Sequence, residues 1–521
     1  MFYARALQPS TKTRQTSAPK VFPAPVRGWI RNELMARPKS GGAEVLDNWF
    51  PTPEGCRMRK GSTLQATVDA AVTHLTTYET GAVSKIFATD ATSVYDVTSP
   101  ADPDVAVVGS VTGQSSGDWS SVQFTNAGGS YLVMVNGTDS MQRFNGSAWS
   151  TITSSITGVD TDDLSHVWKY SSRLWFIGDG MSAWYLSTNA IDGAATEFPL
   201  GGTFSLGGAL MFGCSWSSDA GDGLDDYCVF ITTEGEAAVY QGDPASTFSK
   251  VGVYKIGKPI HKNGWFRVGG DIAVITDDAI VSLGAAVQKD RAALLATAIT
   301  YPIEEAWRLA VEERSGVLPF SCVVWPSKTM LVVGIPSSGS QLKMAYVANT
   351  RTGAWCRFTG WDTRAVTVFD DKLFFGTRDG KVVRGEVSGA DRGATYTAGL
   401  LSKFDDFKSI SEKTAVHARL VARSNQPCTP QLFANADYDV DLPTPLSADA
   451  DEAASVWDVG VWDTSTWGSR SDTKSRQSEW QAVAAVGEAL ACGVQITSGR
   501  VTAPDIELIA LHLVTEEGEM I

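Results

Sequence analysis

The chain has 521 residues, 43% of them hydrophobic and only 19% charged, with a formal net charge of −15. This length allows a large core and either two to four domains or one large repetitive one, and abundant Gly, Ser and Thr with few lysines favour short strands and tight turns over helical bundles. The acidic balance argues against a sequence-independent grip on nucleic acid, and no apolar run approaches the roughly 18 residues of a membrane-spanning helix.

Charge is unevenly spread. Residues 1–60 hold eleven Lys and Arg against four Asp and Glu, which leaves the remaining body at about −22. The same stretch contains seven of the 21 prolines and little periodicity. It is expected to be an extended basic arm over 1–62, leaning on the body or on a neighbouring ring. It lacks the apolar stretch of about 7 to 15 residues of a secretory signal, so the protein is expected to be assembled without export.

From residue 63 one local pattern returns: an apolar strand, a turn of Gly, Asp, Asn, Ser or Thr, then a second strand. It begins at Ile86, Leu132, Leu174, Val229, Ile272, Leu331 and Leu373, at intervals of 46, 42, 55, 43, 59 and 42 residues. Several units have a third strand, as in AVTVF, Asp370-Asp371, KLFFGT, Arg378-Asp379-Gly380, KVVRGE. The Asp-Gly step supplies the positive φ of a tight hairpin, and the runs are β-branched or aromatic. An interval near 42 to 46 residues is that of a propeller blade, which buries both faces only by stacking around a ring. A β-propeller of six or seven short blades is therefore expected over 63–390; two meandering sandwiches with coincidental spacing are the alternative.

Two passages break the pattern. Lys289 to Gly316 reads as a helical insertion between blades, with Pro302 in its first turn and Ile303, Trp307, Ala310 and Val311 on one face. Cys214 to Cys228 encloses a polar loop with Asp219, Asp222, Asp225 and Asp226. Beyond residue 390 the pattern changes to strands flanking the polar stretch LPTPLSADADEAAS, which predicts a C-terminal β-sandwich over 391–521. The expected fold class is thus all-β: propeller, sandwich, arm and one inserted helix.

Reactive chemistry is sparse. The seven cysteines are scattered with no C-x-x-C pair and read as reduced, buried hydrophobes. Five histidines, His74, His166, His261, His417 and His512, stand far apart and read as structural. Gly252 to Pro259 imitates a phosphate loop, but Pro259 stands where a magnesium-binding hydroxyl is needed. The four loop aspartates lack the alternation and closing Glu of a calcium loop. Glu304, Glu305, Glu312 and Glu313 suit the solvated face of a helix, and paired glycosidase acids cannot be read from spacing. The chain therefore reads as non-enzymatic, with no cofactor and no metal. Tryptophan is unusually frequent at 17, and Trp457, Trp462 and Trp467 recur every five residues in VWDVGVWDTSTWG, a pattern suited to an interface or to local packing.

Three passages in order resemble the tail nozzle proteins of short-tailed bacteriophages, also called tail hub, tail tubular or DNA-stabilising proteins. The first is RNELMARPKSGGAEVLDNWFPTPEGCRMRKGS, with Asn48, Trp49, Phe50, Pro51, Gly55, Arg57, Arg59 and Gly61 at the family's positions; the usual Gly-Gly-x-Asn lead-in is replaced by Val26-Arg27-Gly28-Trp29. The second is the Trp-Asp ladder, and the third is the ending PDIELIALHLVTEEGEMI. The resemblance implies a virion protein forming a homo-oligomeric ring of about six copies below the portal and its adaptor, contacting tail fibres, through whose hole double-stranded DNA passes without specific binding. Trp49, Phe50, Arg57, Arg59, Trp457, Trp462 and Trp467 are the interface candidates. An acidic lining would repel phosphates and let the genome slide, while the basic arm, with Arg27, Arg31, Arg37, Arg57, Arg59 and Lys60, would dock on acidic neighbours. The competing readings are a receptor-binding or glycan-degrading propeller of a tail tip, and a cellular scaffold propeller.

Overall fold

The structure is a computed structural model that describes residues 18–35, 40–217, 226–314, 316, 320–425, 428–448 and 474–517. The Trp457, Trp462 and Trp467 ladder, Arg37 and three of the four loop aspartates lie outside these residues.

The recurring hairpins form a ring of seven blades among the described residues. Their first strands are His74–Glu79, Ser120–Asn126, His166–Tyr170, Leu210–Trp216, Trp265–Val268, Ser321–Trp325 and Ala365–Phe369, which define blades 1 to 7. Each of the seven strands that opened the repeat pattern is the second strand of its blade, paired antiparallel to the first. First strands pack beside one another from blade 2 to 3, 3 to 4, 5 to 6, 6 to 7 and 7 to 1. His74 Nε2 and Thr76 Oγ1 meet Ser121 Oγ at 3.1 and 2.8 Å to join blades 1 and 2. Arg267 donates to the Ser215 carbonyl at 3.2 Å to join blades 4 and 5.

Closure uses the two ends of the propeller segment. Strand Gly61–Thr67 is the fourth strand of blade 7, antiparallel to Lys381–Ser388. A ring closed in this way cannot open without breaking that strand pairing. Between blades 5 and 6 lie helices α1 (Leu283–Gln288), α2 (Arg291–Leu295) and α3 (Glu304–Arg314). Ser282 and Asp290 cap α1 and α2 through their side chains, and Ile303, Trp307, Ala310 and Val311 are buried as their spacing predicts.

The sandwich is not a separate body. Blade 6 continues outward: its last strand, Trp355–Thr359, pairs in parallel with Ala43–Asp47, followed by Tyr396–Ser402, Leu490–Ser498 and Gln431–Ala436, making one eight-stranded sheet. A second sheet stacks on it, built from Lys413–Ser424 and Ile506–Glu517 with Trp49–Pro51, Cys56–Met58, Ala18–Pro23, Lys474–Gln477 and Gln481–Gly487. The extended N-terminal segment is thus laid onto both sheets as strands. Where Ala18–Pro23 forms the margin of the second sheet, the Ala24 N–H bonds inward to Ile509. The alternation then turns Pro19 and Pro23 outward, where a missing N–H blunts the edge.

The cysteines are free thiols, five buried and two partly buried. Blade-to-blade packing leaves no slack: a Cβ on Gly213 of blade 4 would stand 2.5 Å from the Trp168 ring of blade 3. Gly213→Ala is expected to cost about 2 to 3 kcal/mol in chemical denaturation, whereas Gly81→Ala, in open space, would meet no such clash.

Candidate functional site: a ring-to-sandwich joint and a bolted channel

Arg59 stands between the sandwich strand Cys56–Met58 and the closing strand Gly61–Thr67, and its side chain is fully buried. Its guanidinium forks onto Asp391, Nη1 to Oδ1 at 3.1 Å and Nη2 to Oδ2 at 2.6 Å. It also donates to Asn48 Oδ1 at 2.6 Å, the Thr359 carbonyl at 2.9 Å and the Lys60 carbonyl at 3.1 Å. Rings of Tyr396 and Trp361 flank it at 4.1 and 4.9 Å, and the Tyr396 hydroxyl donates to the Arg59 carbonyl at 2.6 Å. Asn48, at φ +62°, completes the joint with side-chain bonds to Thr359 and Thr397. One buried cation therefore ties blade 6, the closing strand of blade 7 and the sandwich together.

This placement corrects the expectation for three interface candidates. Trp49, Phe50 and Arg59 are buried within the chain, because the sandwich needs them as core and joint. Arg57 is tied to Glu386 at 2.9 Å, and Arg31 lies near Glu44 and Glu305 at 3.9 and 3.7 Å. These arm cations are engaged inside the chain, so they are not free to dock on a neighbour.

The centre of the propeller is crossed by a polar bolt. His261, Lys262 and Asn263, leading into blade 5, reach the residues leading into blades 2 and 3, which are not its neighbours in the ring. His261 Nε2 donates to Asp118 Oδ1 at 2.8 Å, and its Nδ1 accepts from the Asn263 N–H at 3.2 Å. Lys262 Nζ donates to the carbonyls of Asp118 and Ser165 at 2.6 and 2.9 Å and lies 3.1 Å from Asp118 Oδ2. Asn263 Nδ2 donates to the Trp119 carbonyl at 2.8 Å. Partial burial opposes ionisation of Asp118, but the hydrogen bond from His261 and the charge and hydrogen bond of Lys262 outweigh it and hold the carboxyl at about 2. Burial lowers the Lys262 ammonium despite Asp118.

His166, beneath the bolt, donates from Nε2 to the Gly213 carbonyl at 2.9 Å and accepts from Ser120 Oγ at Nδ1 over 2.8 Å. Burial pushes it down to about 3, against that carbonyl. Three of the five histidines, His74, His166 and His261, thus gather at the channel from widely spaced sequence positions. Sequence spacing held no signal for this, since the ring alone brings them together. These bonds fasten the segment leading into blade 5 to those leading into blades 2 and 3. Among the described residues no group of three or more His, Cys, Asp or Glu could hold a metal ion. Gly252 to Pro259 runs through the last strand of blade 4 into the bolt and opens no helix.

One rim of blades 2 to 4 carries a cleft of about 860 Å³ lined by Gln123, Thr125, Ser171, Ser172, Asn189 and Thr247 among others. Ser171, Ser172 and Asn189 hold positive φ there.

No family model matches the chain, and no curated protein matches it. Among solved structures, it is similar to the computationally designed Ika8 protein over 62% of this chain and 100% of that one, at 10% identity and a TM-score of 0.36. It is also similar to the WD40 β-propeller domain of Doa1 over 63% of this chain and 97% of that one, at 9% identity and a TM-score of 0.37.

Arg59→Ala leaves Asp391 uncompensated and is expected to cost about 3 to 5 kcal/mol; Arg59→Lys, which keeps charge but loses the fork, should fall between it and the parent in denaturant titration. His166 carries a second expectation. Its folded value lies below the ordinary 6.5, so below that pH the unfolded chain binds a proton that the folded chain refuses. Stability is then complete above about pH 6.5 and falls with acidification at up to about 1.4 kcal/mol per pH unit. His166→Gln, which can keep both hydrogen bonds, should lose about 2 kcal/mol less than the parent between pH 7 and 5.

Proposed function

We propose that this protein is a non-enzymatic structural subunit of a short-tailed phage virion, forming with copies of itself the tail nozzle below the portal and adaptor and conducting duplex DNA during ejection. The observation that carries the reading is mechanical: backbone pairing and buried Arg59 make propeller and sandwich one block, in the region bearing the Asn48 to Gly61 motif. The bolt across the propeller's centre supports a DNA path between copies, not through a blade ring. Tail fibres and the adaptor are the expected neighbours, and the virion the expected location. An acidic body suits a passage that must not retain phosphates.

Mixed with its neighbouring adaptor and portal rings, the full chain should assemble into a closed ring of about six copies, seen by electron microscopy. It should not retard duplex DNA at about 0.15 M salt. A chain that stays monomeric with every neighbour, or that binds duplex tightly, would overturn the reading.

A tail-tip module recognising surface glycan is the second reading, favoured by the rim cleft, whose hydroxyls and amides could match a polyhydroxylated ligand. Saturable binding of host polysaccharide, abolished by Asn189→Ala and Thr247→Ala together, would support it over the nozzle.

A further inference from the structure

The eight-stranded sheet has two faces with opposite charge beyond them. Tyr346, Trp355 and Arg357 project toward the helical insertion: the Tyr346 hydroxyl donates to the Ala306 carbonyl of α3 at 3.4 Å, and Trp355 Nε1 to the Ile299 carbonyl at 3.0 Å. Asn349 lies on the other side, donating to the Pro51 carbonyl of the second sheet at 2.9 Å. Helix α3 and the Trp49–Met58 hairpin of the second sheet therefore lie on opposite faces of the eight-stranded sheet.

The outward side of α3 carries Glu304, Glu305, Glu312 and Glu313, all exposed, with exposed Arg308 and Leu309, 47% exposed, among them, so the face is net acidic. Of these, only Glu305 has an ion-pair partner among the described residues, Arg31 at 3.7 Å. On the opposite side a concave site of about 290 Å³ is lined by Arg57, Lys60, Lys328 and Arg351 against Glu386 and Asp505. Glu386 is already engaged by Arg57 and by the Lys60 N–H. The side-chain cations of Lys60, Lys328 and Arg351 make no hydrogen bond or ion pair among the described residues. A net positive hollow on a chain of net charge −15 is a local inversion of sign, and it is lined by the second-sheet hairpin and the turns of blade 6, with no residue of α3.

We infer that α3 of one copy docks into the Lys60, Lys328 and Arg351 hollow of the next copy. A contact between two different surfaces of one body is heterologous: it cannot give a two-fold dimer, and it builds a ring when the rotation between copies closes. Leu309 supplies the apolar centre, and the carboxylates around it meet the cations in register. The inference rests on the ring proposed above and names the surfaces that close it.

The test uses the full chain with its adaptor and portal rings and three variants. Glu312→Lys with Glu313→Lys reverses the helix in its last turn, where lysine suits the helix dipole. Lys328→Glu with Arg351→Glu reverses the hollow on exposed turns, and a third chain carries all four changes. Thermal melting checks that each variant folds. Each pair alone should weaken ring assembly by about tenfold or more, the fourfold chain should recover most of it, and assembly of the parent should weaken between about 0.05 and 0.5 M salt. If the parent forms rings and the reversed chains form them equally well, this contact is wrong and the ring stands. If the paired reversals fail but the fourfold chain shows no recovery, the two surfaces do not meet. A parent that never assembles overturns both readings.

Discussion

A buried guanidinium is tolerated only when its charge and its donors are met, and Arg59 meets this requirement with groups from five other residues. Asn48, Lys60, Thr359 and Asp391 supply oxygens, and Tyr396 supplies a ring. Those residues belong to the sandwich, the closing strand and the outer edge of blade 6. The geometry that satisfies the cation therefore exists only when ring closure and sandwich docking have both occurred. Arg59 is two residues from Gly61, where the closing strand starts and where a Cβ would stand 2.2 Å from the Ala390 carbonyl. Joint and closure are set by the same short stretch.

The channel obeys the same logic with weaker groups. Seven first strands converge on an axis, and the backbone and side-chain polar groups at its mouth need partners. His261, Lys262 and Asn263 provide them from across the ring, so the opening is filled by the protein's own donors. Neutral His166 beneath the bolt fits this centre: Nε2 donates to the Gly213 carbonyl, Nδ1 meets the Ser120 hydroxyl, and burial disfavours a second proton. Such a centre resists opening, and it leaves the outer faces of the body to make contacts with other molecules.

Much of this was legible in the residue order because hairpins are local. The apolar runs at Ile86, Leu132, Leu174, Val229, Ile272, Leu331 and Leu373 each need only their next neighbour in sequence, and each became a second strand. The helical face of Ile303, Trp307, Ala310 and Val311 was legible for the same reason, as was the fate of the cysteines as free thiols. The candidate site was less so. The Asn48 to Gly61 motif marked the right region, yet Trp49, Phe50 and Arg59 read as contacts for another copy, because composition cannot tell a buried arginine from a docking one. The histidines read as isolated because His74, His166 and His261 are distant along the chain and become neighbours of one centre only when the blades close around it.

Periodicity and turn chemistry by themselves determined that this chain is built of short antiparallel hairpins repeated at a blade's interval, with a helical insertion and a different C-terminal β unit. Tertiary structure decided that the wheel has seven blades, that Gly61–Thr67 closes it, and that blade 6 and the sandwich share one sheet. The physical reason is range. A hairpin is specified by side chains a few residues apart, whereas closure, a parallel strand junction and a buried ion pair between Arg59 and Asp391 join residues more than three hundred positions apart, whose energies exist only once the whole chain has met itself.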